Sequence, residues 1–358
     1  MKKLFIFIAL LFVISPTPAH AAAHSTYLAT IANRNYAGAI TNLNFEKSLD
    51  PSGDLGKLVF DPIAKPRTWV IDAALIEDVQ SLADKKSVSA TNWLLRLKQI
   101  VRYDTVYSTA YGNPDVIYLQ SLAPAELTYY YKVGQEHLQL LLGKSVMSEK
   151  GSGFSWKRAK ISSDVREFLN SSREDLIALN TVVGLPEIES DRAKIAQLFN
   201  SQLTDSQRAA LLTDFQSGEA SVISKLKIVN GRYQITTANE KIPVTLVNDF
   251  DTSVKVDLLF TPLNNRVVFP EYRQISLNPK SKIQISIPIK SITSGETTVM
   301  ARFENGKGVV VGEQGIIDIS STIISPAVTK FTTGAGVLLI LAAIAQSVRR
   351  VRKNRAAK

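Results

Sequence analysis

KLKIVNGRYQIT, residues 225–236, decides how the second half of the chain is read. Asn230-Gly231 stands between Lys225–Val229 and Arg232–Thr236, and Asn-Gly flanked by strand-like runs is a strong short-range signal for a β-hairpin. The period-two pattern that begins there continues downstream. Val254, Val256, Leu258 and Phe260 alternate with Lys255, Asp257 and Leu259, and Ile283, Ile285, Ile287 and Ile289 alternate with mostly polar residues, so each run reads as a strand with one buried face. Val244–Val247, Val299–Phe303, Val309–Val311 and Ile316–Ile319 complete the set, with Asn264-Asn265, Asn278-Pro279, Ser294-Gly295 and Asn305-Gly306 as turns between. This spacing predicts an all-β, immunoglobulin-like sandwich over 225–325, although the Cys, Trp, Cys pattern of antibody domains is absent.

Upstream, residues 23–224 change character. Thr68–Asp72 reads as a strand, and the helix after it carries Leu75, Ile76, Val79 and Leu82 on one face. A second helix buries Trp93, Leu94, Leu97, Ile100 and Val101 and leads to a strand at Tyr103–Ser108. Helices follow around Ala125–Leu142 and between Arg192 and Ile223, with a strand expected at Asp175–Asn180. Alternating strand and helix predict an α/β fold, a parallel sheet with crossover helices, and leave open whether it closes into a partial barrel.

The two ends carry topology signals. MKKLFIFIALLFVISPTPAHA has a two-lysine start, an apolar run from Leu4 to Ile14 and a closing Ala19-His20-Ala21, the order of a signal peptide, assigned to residues 1–22. Residues 331–348 hold no charge, and Val337, Leu338, Leu339, Ile340, Leu341 and Ile344 form the apolar centre of an expected transmembrane helix. Arg349, Arg350, Arg352, Lys353 and Arg355 follow in the tail, 349–358. Basic residues stay cytoplasmic, so a single-pass protein of the cell membrane is expected, its N-terminus outside after signal cleavage and its C-terminus inside. The tail is also expected to touch anionic membrane lipid.

The ends also explain the net charge of +10. Eight of the 42 basic residues lie in them, leaving 34 against 32 acids in the body, which offers no electrostatic footprint for nucleic acid. The chain has no cysteine and three histidines, His20, His24 and His137. His20 leaves with the signal peptide, His24 lies at the new terminus and His137 falls inside a helix, so thiol catalysis, a disulfide framework and a two-histidine metal site are excluded, and no cofactor or metal is expected. No Gly-rich phosphate loop opens a helix either.

In parallel α/β folds functional residues gather at the C-terminal ends of strands. Asp72 closes one strand and Tyr111-Gly112-Asn113-Pro114-Asp115 follows the next. Asp72 and Asp115 are thus candidate catalytic carboxylates for a glycosidic bond, with Trp69, Tyr111 and Asn113 as candidate binding residues. Against this stands helix capping: Asp before a helix, and Pro in its first turn, are what unsatisfied backbone amides select. Capping is the favoured reading.

The same residues carry a resemblance. Thr68–Leu75 (TWVIDAAL), Trp93-Leu94, Ala110–Asp115 (AYGNPD), Ile242–Asn248 (IPVTLVN), Val254–Val256 and the last helix with Arg349-Arg350-Val351-Arg352 occur in the order found in the actinobacterial domain-of-unknown-function family 6049, which this chain resembles over most of its mature length. Ala73 and Asn113 depart from that family's usual Pro and Asp, and the resemblance implies a chain reduced in length relative to typical members. The resemblance implies a signal peptide, extracytoplasmic domains and one C-terminal helix, often encoded beside the lipid II flippase. The expected function is that of a non-enzymatic binding or accessory protein of the cell envelope linked to wall assembly, with an envelope protein or a cell-wall glycan as partner. The alternative is a glycan hydrolase, active or degenerate, using the paired carboxylates.

Overall fold

The computed structural model describes residues 24–61, 67–149, 160–322, 335–347 and 349. Two compact units divide the chain: residues 1–160 with 196–211, and residues 161–195 with 212–358.

The first unit is built on four parallel strands, β1 (His24–Leu28), β2 (Arg67–Ile71), β3 (Thr105–Ser108) and β4 (Met147–Ser148), lying side by side in chain order. Between them run α1 (Phe45–Ser48) and α2 (Asp54–Phe60), α3 (Ala73–Asp84) and α4 (Val88–Val101), then α5 (Val116–Leu122) and α6 (Pro124–Leu142). Chain-ordered parallel strands joined by helices are the arrangement of an α/β-barrel sector, and among the described residues the sheet is an open one of four strands. Trp69, Val70 and Ile71 are all buried, as a strand covered on both faces requires. Leu75, Ile76, Val79 and Leu82 form the buried face of α3, as the sequence predicts, and Trp93, Leu94, Leu97 and Val101 that of α4, where Ile100, expected with them, is half-buried.

One helix approaches the sheet too closely for a side chain. A Cβ on Gly134 of α6 would lie 2.5 Å from the Thr109 carbonyl oxygen and 3.0 Å from both Ser108 Oγ and Tyr111 N. Gly134→Ala must therefore displace backbone, and we expect it to cost roughly 2–3 kcal/mol. A melting temperature equal to wild type by circular dichroism would contradict this packing.

In the second unit, α7 (Ser163–Val183) and α8 (Pro186–Lys194) precede the β-strands, and α9 (Asp205–Ile223), which belongs to this unit from residue 212 on, leads into them. The strand expected at Asp175–Asn180 is instead part of α7. Val165, Phe168, Leu169, Leu176, Leu179 and Val183 are buried at helical spacing, and the apolar run 176–179 is one stretch of that longer stripe. Thr252 Oγ1 donates to the Val183 carbonyl at 3.1 Å and Asn305 Nδ2 to Thr181 Oγ1 at 3.0 Å, fastening the end of α7 to sandwich loops. The contacts therefore group residues 161–195 with the sandwich, and the division falls elsewhere than the expected boundary between 224 and 225.

The sandwich strands are β5 (Leu226–Ile228), β6 (Gly231–Ile235), β7 (Asn239–Asn248), β8 (Val254–Pro262), β9 (Val267–Val268), β10 (Tyr272–Leu277), β11 (Ser281–Ser291), β12 (Gly295–Glu304) and β13 (Val310–Ser321). One sheet runs β5-β7-β11-β9 and the other β10-β8-β12-β13-β6, and β5 also touches β13 so that the two join. Two antiparallel sheets whose entering segment passes from one to the other, β5 and then β6 lying parallel to the last strand β13, form the immunoglobulin-like arrangement.

The opening stretch is not a hairpin. β5 pairs antiparallel with β7 through Leu226↔Asn248 to Ile228↔Leu246, whereas β6 pairs parallel with β13 through Ile317↔Gly231 to Ser321↔Ile235. A two-residue type I′ turn needs positive φ at both central residues, and neither Asn230 nor Gly231 has it. The chain instead continues forward and changes sheets there, with Asn230 Oδ1 accepting from the Ile316 N–H at 2.7 Å. Val309–Val311 and Ile316–Ile319, read as two strands, belong to the single β13 apart from Val309, which precedes it. Gly312 bends that strand with a φ of +72°.

Residues 335–347 are helical, and no helix among the described residues is long and apolar enough to cross a membrane. The expected span of 331–348 extends at both ends beyond the described residues, and the signal peptide and most of the basic tail also lie outside them.

Candidate functional site

The C-terminal ends of the parallel strands converge on polar side chains. Asp72 follows β2 with extended backbone, and its Oδ1 accepts from Ala74 N at 3.1 Å, which caps α3. The same oxygen accepts from Gly112 N at 2.9 Å, tying the loop after β3 to the end of β2. That loop turns through two left-handed residues, Gly112 at φ +74° and Asn113 at φ +50°, and a Cβ at Gly112 would meet Gln197 Cγ at 2.6 Å. Asn200 secures it from outside, its Nδ2 donating to the carbonyls of Thr30 (3.0 Å) and Gly112 (3.3 Å). Arg208 in turn holds the Asn200 and Leu203 carbonyls at 3.1 and 3.3 Å.

Asp115 Oδ1 accepts from Tyr118 N at 2.9 Å and caps α5. Each member of the expected carboxylate pair is thus bonded to a backbone amide of its own helix. Trp69 is fully buried with Nε1 donating to Asp104 Oδ2 at 3.0 Å, and Tyr111 is fully buried with its hydroxyl on Glu77 Oε2 at 2.7 Å. Neither forms the wall of an open cleft. Asn113 is buried and its Oδ1 accepts from the Tyr27 hydroxyl at 2.6 Å.

A different carboxyl shares the neighbourhood of Asp72. Glu149 follows β4, with its N–H on the Ser108 carbonyl at 2.9 Å. It is 3% exposed, and neither carboxyl oxygen has a hydrogen-bond partner among the described residues. Burial, with the charge of Asp72 added, pushes Glu149 up to about 8. Burial likewise pushes Asp72 up to about 8, against the lowering effect of the two amides it accepts from. Burial and the charges of Glu149 and Asp72 also drive the Tyr27 hydroxyl well above its ordinary value. Two buried acids held toward their protonated forms, beside tyrosines, are the perturbed cluster that marks functional sites. Sequence reading missed Glu149 because β4 is two residues long and gives no periodic signal.

An ionic network lies on the α3 side. Arg34 Nη2 donates to Glu77 Oε2 at 3.0 Å and its Nε pairs with Asp78, which also accepts from Asn33 N and Nδ2 at 3.2 and 3.0 Å. His137 Nδ1 meets Glu77 Oε1 at 2.5 Å, and the half-buried imidazole packs edge-on to Tyr111. Although burial works to raise it, hydrogen bonds from His137 and Tyr111 hold Glu77 below the usual carboxylate range. The hydrogen bond to Glu77 raises His137 above 6.5. The raised His137 therefore adds stability that is present below its unfolded-state value and lost as pH rises through the folded one, while the lowered Glu77 adds stability that is lost as pH falls through its folded value. We expect an NMR titration of His137 with its midpoint above 6.5 that moves down in Glu77→Gln. A midpoint unmoved by that substitution would refute the assignment of the shift to Glu77.

Among the described residues no group of three His, Cys, Asp or Glu side chains is placed to hold a metal ion.

A parallel-sheet α/β unit with a buried acidic cluster at its strand ends, joined in one chain to an immunoglobulin-like sandwich, is the class of protein these elements define. The chain belongs to the family of unknown function DUF6049, whose model matches residues 118–356, about two thirds of its length. No curated protein matches. Solved structures similar to part of the chain include WR4, an MSP family member of C. elegans, at 12% identity and TM-score 0.22, covering 28% of this chain and 99% of that one. A FixG-related protein from Vibrio parahaemolyticus has 11% identity and TM-score 0.22 over 27% of this chain and 94% of that one. The CARDB domain of the PF1109 protein from Pyrococcus furiosus has 14% identity and TM-score 0.21 over 28% and 92%. At these scores the likenesses assign no function.

Proposed function

We propose that this chain is a membrane-anchored, extracytoplasmic binding protein of the cell envelope, without enzymatic activity, that serves wall assembly by engaging an envelope protein or a wall glycan. The observation that carries the anchoring is the helix at 335–347, where Val337, Leu338, Leu339, Ile340, Leu341 and Ile344 are each 50–71% exposed. A cluster of large apolar side chains of that kind needs an apolar surrounding, and a bilayer with the basic tail on its cytoplasmic side supplies one. The non-enzymatic part of the reading rests on the capping bonds that occupy Asp72 and Asp115.

Crosslinking in cells followed by mass spectrometry is expected to recover a membrane or wall-synthesis partner, and recovery of none would count against the reading. A reporter active only outside the cytoplasm, fused after Lys358, is expected to be silent. Activity there would overturn the orientation.

Glycan hydrolysis is kept as a second reading because of one observation, the shared neighbourhood of the high-pKa acids Asp72 and Glu149. If it holds, wall polysaccharide incubated with the protein releases reducing ends, and Glu149→Gln abolishes the release. Absence of release by the wild type sinks it.

A further inference from the structure

Resting on the binding reading above, we infer that the outer face of the sandwich formed by β6, β13 and β12 is a glycan-binding groove. The strand register aligns two polar rows across these strands. Arg232 stands opposite Asp318 and Asp318 opposite Thr298, while Gln234 stands opposite Ser320 and Ser320 opposite Glu296. Strand spacing sets neighbours in a row about 4.8 Å apart, so each row presents three polar groups in a line. A cavity of 860 Å³ lies over them, with Leu263 and Asn264 also lining it.

The first row is organised internally. Thr298 Oγ1 donates to Asp318 Oδ1 at 2.8 Å and Arg232 Nε lies 3.6 Å from Asp318 Oδ2, leaving the Arg232 side chain 90% exposed. In the second row the side chains of Gln234, Ser320 and Glu296 make no hydrogen bond to another described residue. They offer free donors and acceptors.

The occupant follows from the chemistry of this floor. One guanidinium against two carboxylates disfavours a phosphate or other polyanion, and the ion pair within the first row leaves little charge for a polycation. Of the large apolar residues lining the groove, Ile319 is buried and Tyr233 has its hydroxyl on the Pro243 carbonyl, so Leu263 is the exposed one, too little for an apolar peptide or a lipid, yet enough to meet one face of a sugar ring. Amide, hydroxyl and carboxylate groups, which together both donate and accept, match a neutral polyhydroxylated chain whose hydroxyls do the same.

The test is titration calorimetry of the purified full chain with a tetramer of β-1,4-linked N-acetylglucosamine, and with a glucose tetramer as a second probe. At least one tetramer is expected to bind, and Gln234→Ala and Glu296→Gln are each expected to weaken it about fivefold, the effect of one or two lost hydrogen bonds. Gln284→Ala, exposed on the other sheet, should leave affinity unchanged, and all three variants should melt as the wild type does. The assignment falls if neither tetramer binds, if both groove variants bind as well as wild type, or if an unglycosylated peptide displaces the sugar with equal affinity. Recovery of a crosslinked partner in cells alongside any of those results would remove the groove while leaving the binding reading intact.

Discussion

Asp72→Ala is expected to destabilise the parallel-sheet unit by about 3 kcal/mol. The substitution removes the cap of α3, worth roughly 1 kcal/mol, and leaves the buried Gly112 amide without an acceptor, at roughly 1–3 kcal/mol more. It also unties the left-handed turn at Gly112-Asn113 from the end of β2. Asp72→Asn keeps an acceptor oxygen without the charge. Because burial raises Asp72 to about 8, the wild type loses stability as pH climbs from the ordinary carboxylate range through that value, and the asparagine variant does not. Denaturant titrations of the three proteins at pH 6 and pH 9 read all of this out. A variant Asp72→Ala as stable as wild type would show that the bifurcated bond contributes nothing.

Glu149→Gln should act in the opposite direction. An acid whose folded-state value stands at about 8 against an ordinary 4.5 contributes stability that is complete below 4.5 and disappears as pH rises through 8. Each unit corresponds to ~1.4 kcal/mol, so Glu149→Gln is expected to exceed wild type by roughly 3–5 kcal/mol at pH 9 and by almost nothing at pH 4. Equal stability of the two proteins at pH 9 would mean that Glu149 is not held neutral. A residue whose replacement stabilises is one that folding alone would not retain. Loss of any binding or hydrolytic activity in this stabilised variant would place Glu149 in the working surface rather than the scaffold.

The sequence made the local physics legible wherever one segment is enough to determine its own structure. Thr68–Asp72, the α3 and α4 stripes and the caps at Asp72 and Asp115 were readable because period, burial and capping are properties of a few adjacent residues. What escaped depends on partners distant in the chain. Asn230-Gly231 looks like a hairpin until β13, more than eighty residues later, supplies the parallel neighbour that β6 takes instead. Glu149 gains its character from burial near Asp72, a residue from two strands earlier, and nothing adjacent to it announces that. Asp175–Asn180 reads as a strand because the short apolar run 176–179 within it does not distinguish a strand from one turn of a buried helix.

The switch of sheets at Asn230-Gly231 also has a mechanical consequence. It lays β6, near the entry of the sandwich, parallel to β13, its last strand, over five consecutive register pairs from Gly231–Ile317 to Ile235–Ser321. Tension that separates the two ends of the sandwich therefore loads those pairs in shear, all at once, rather than peeling them one by one from an edge. If the C-terminal helix is the anchor proposed above, a sandwich held there and pulled through the residues before β6 would yield as a clasp, holding to a threshold and then releasing as a whole.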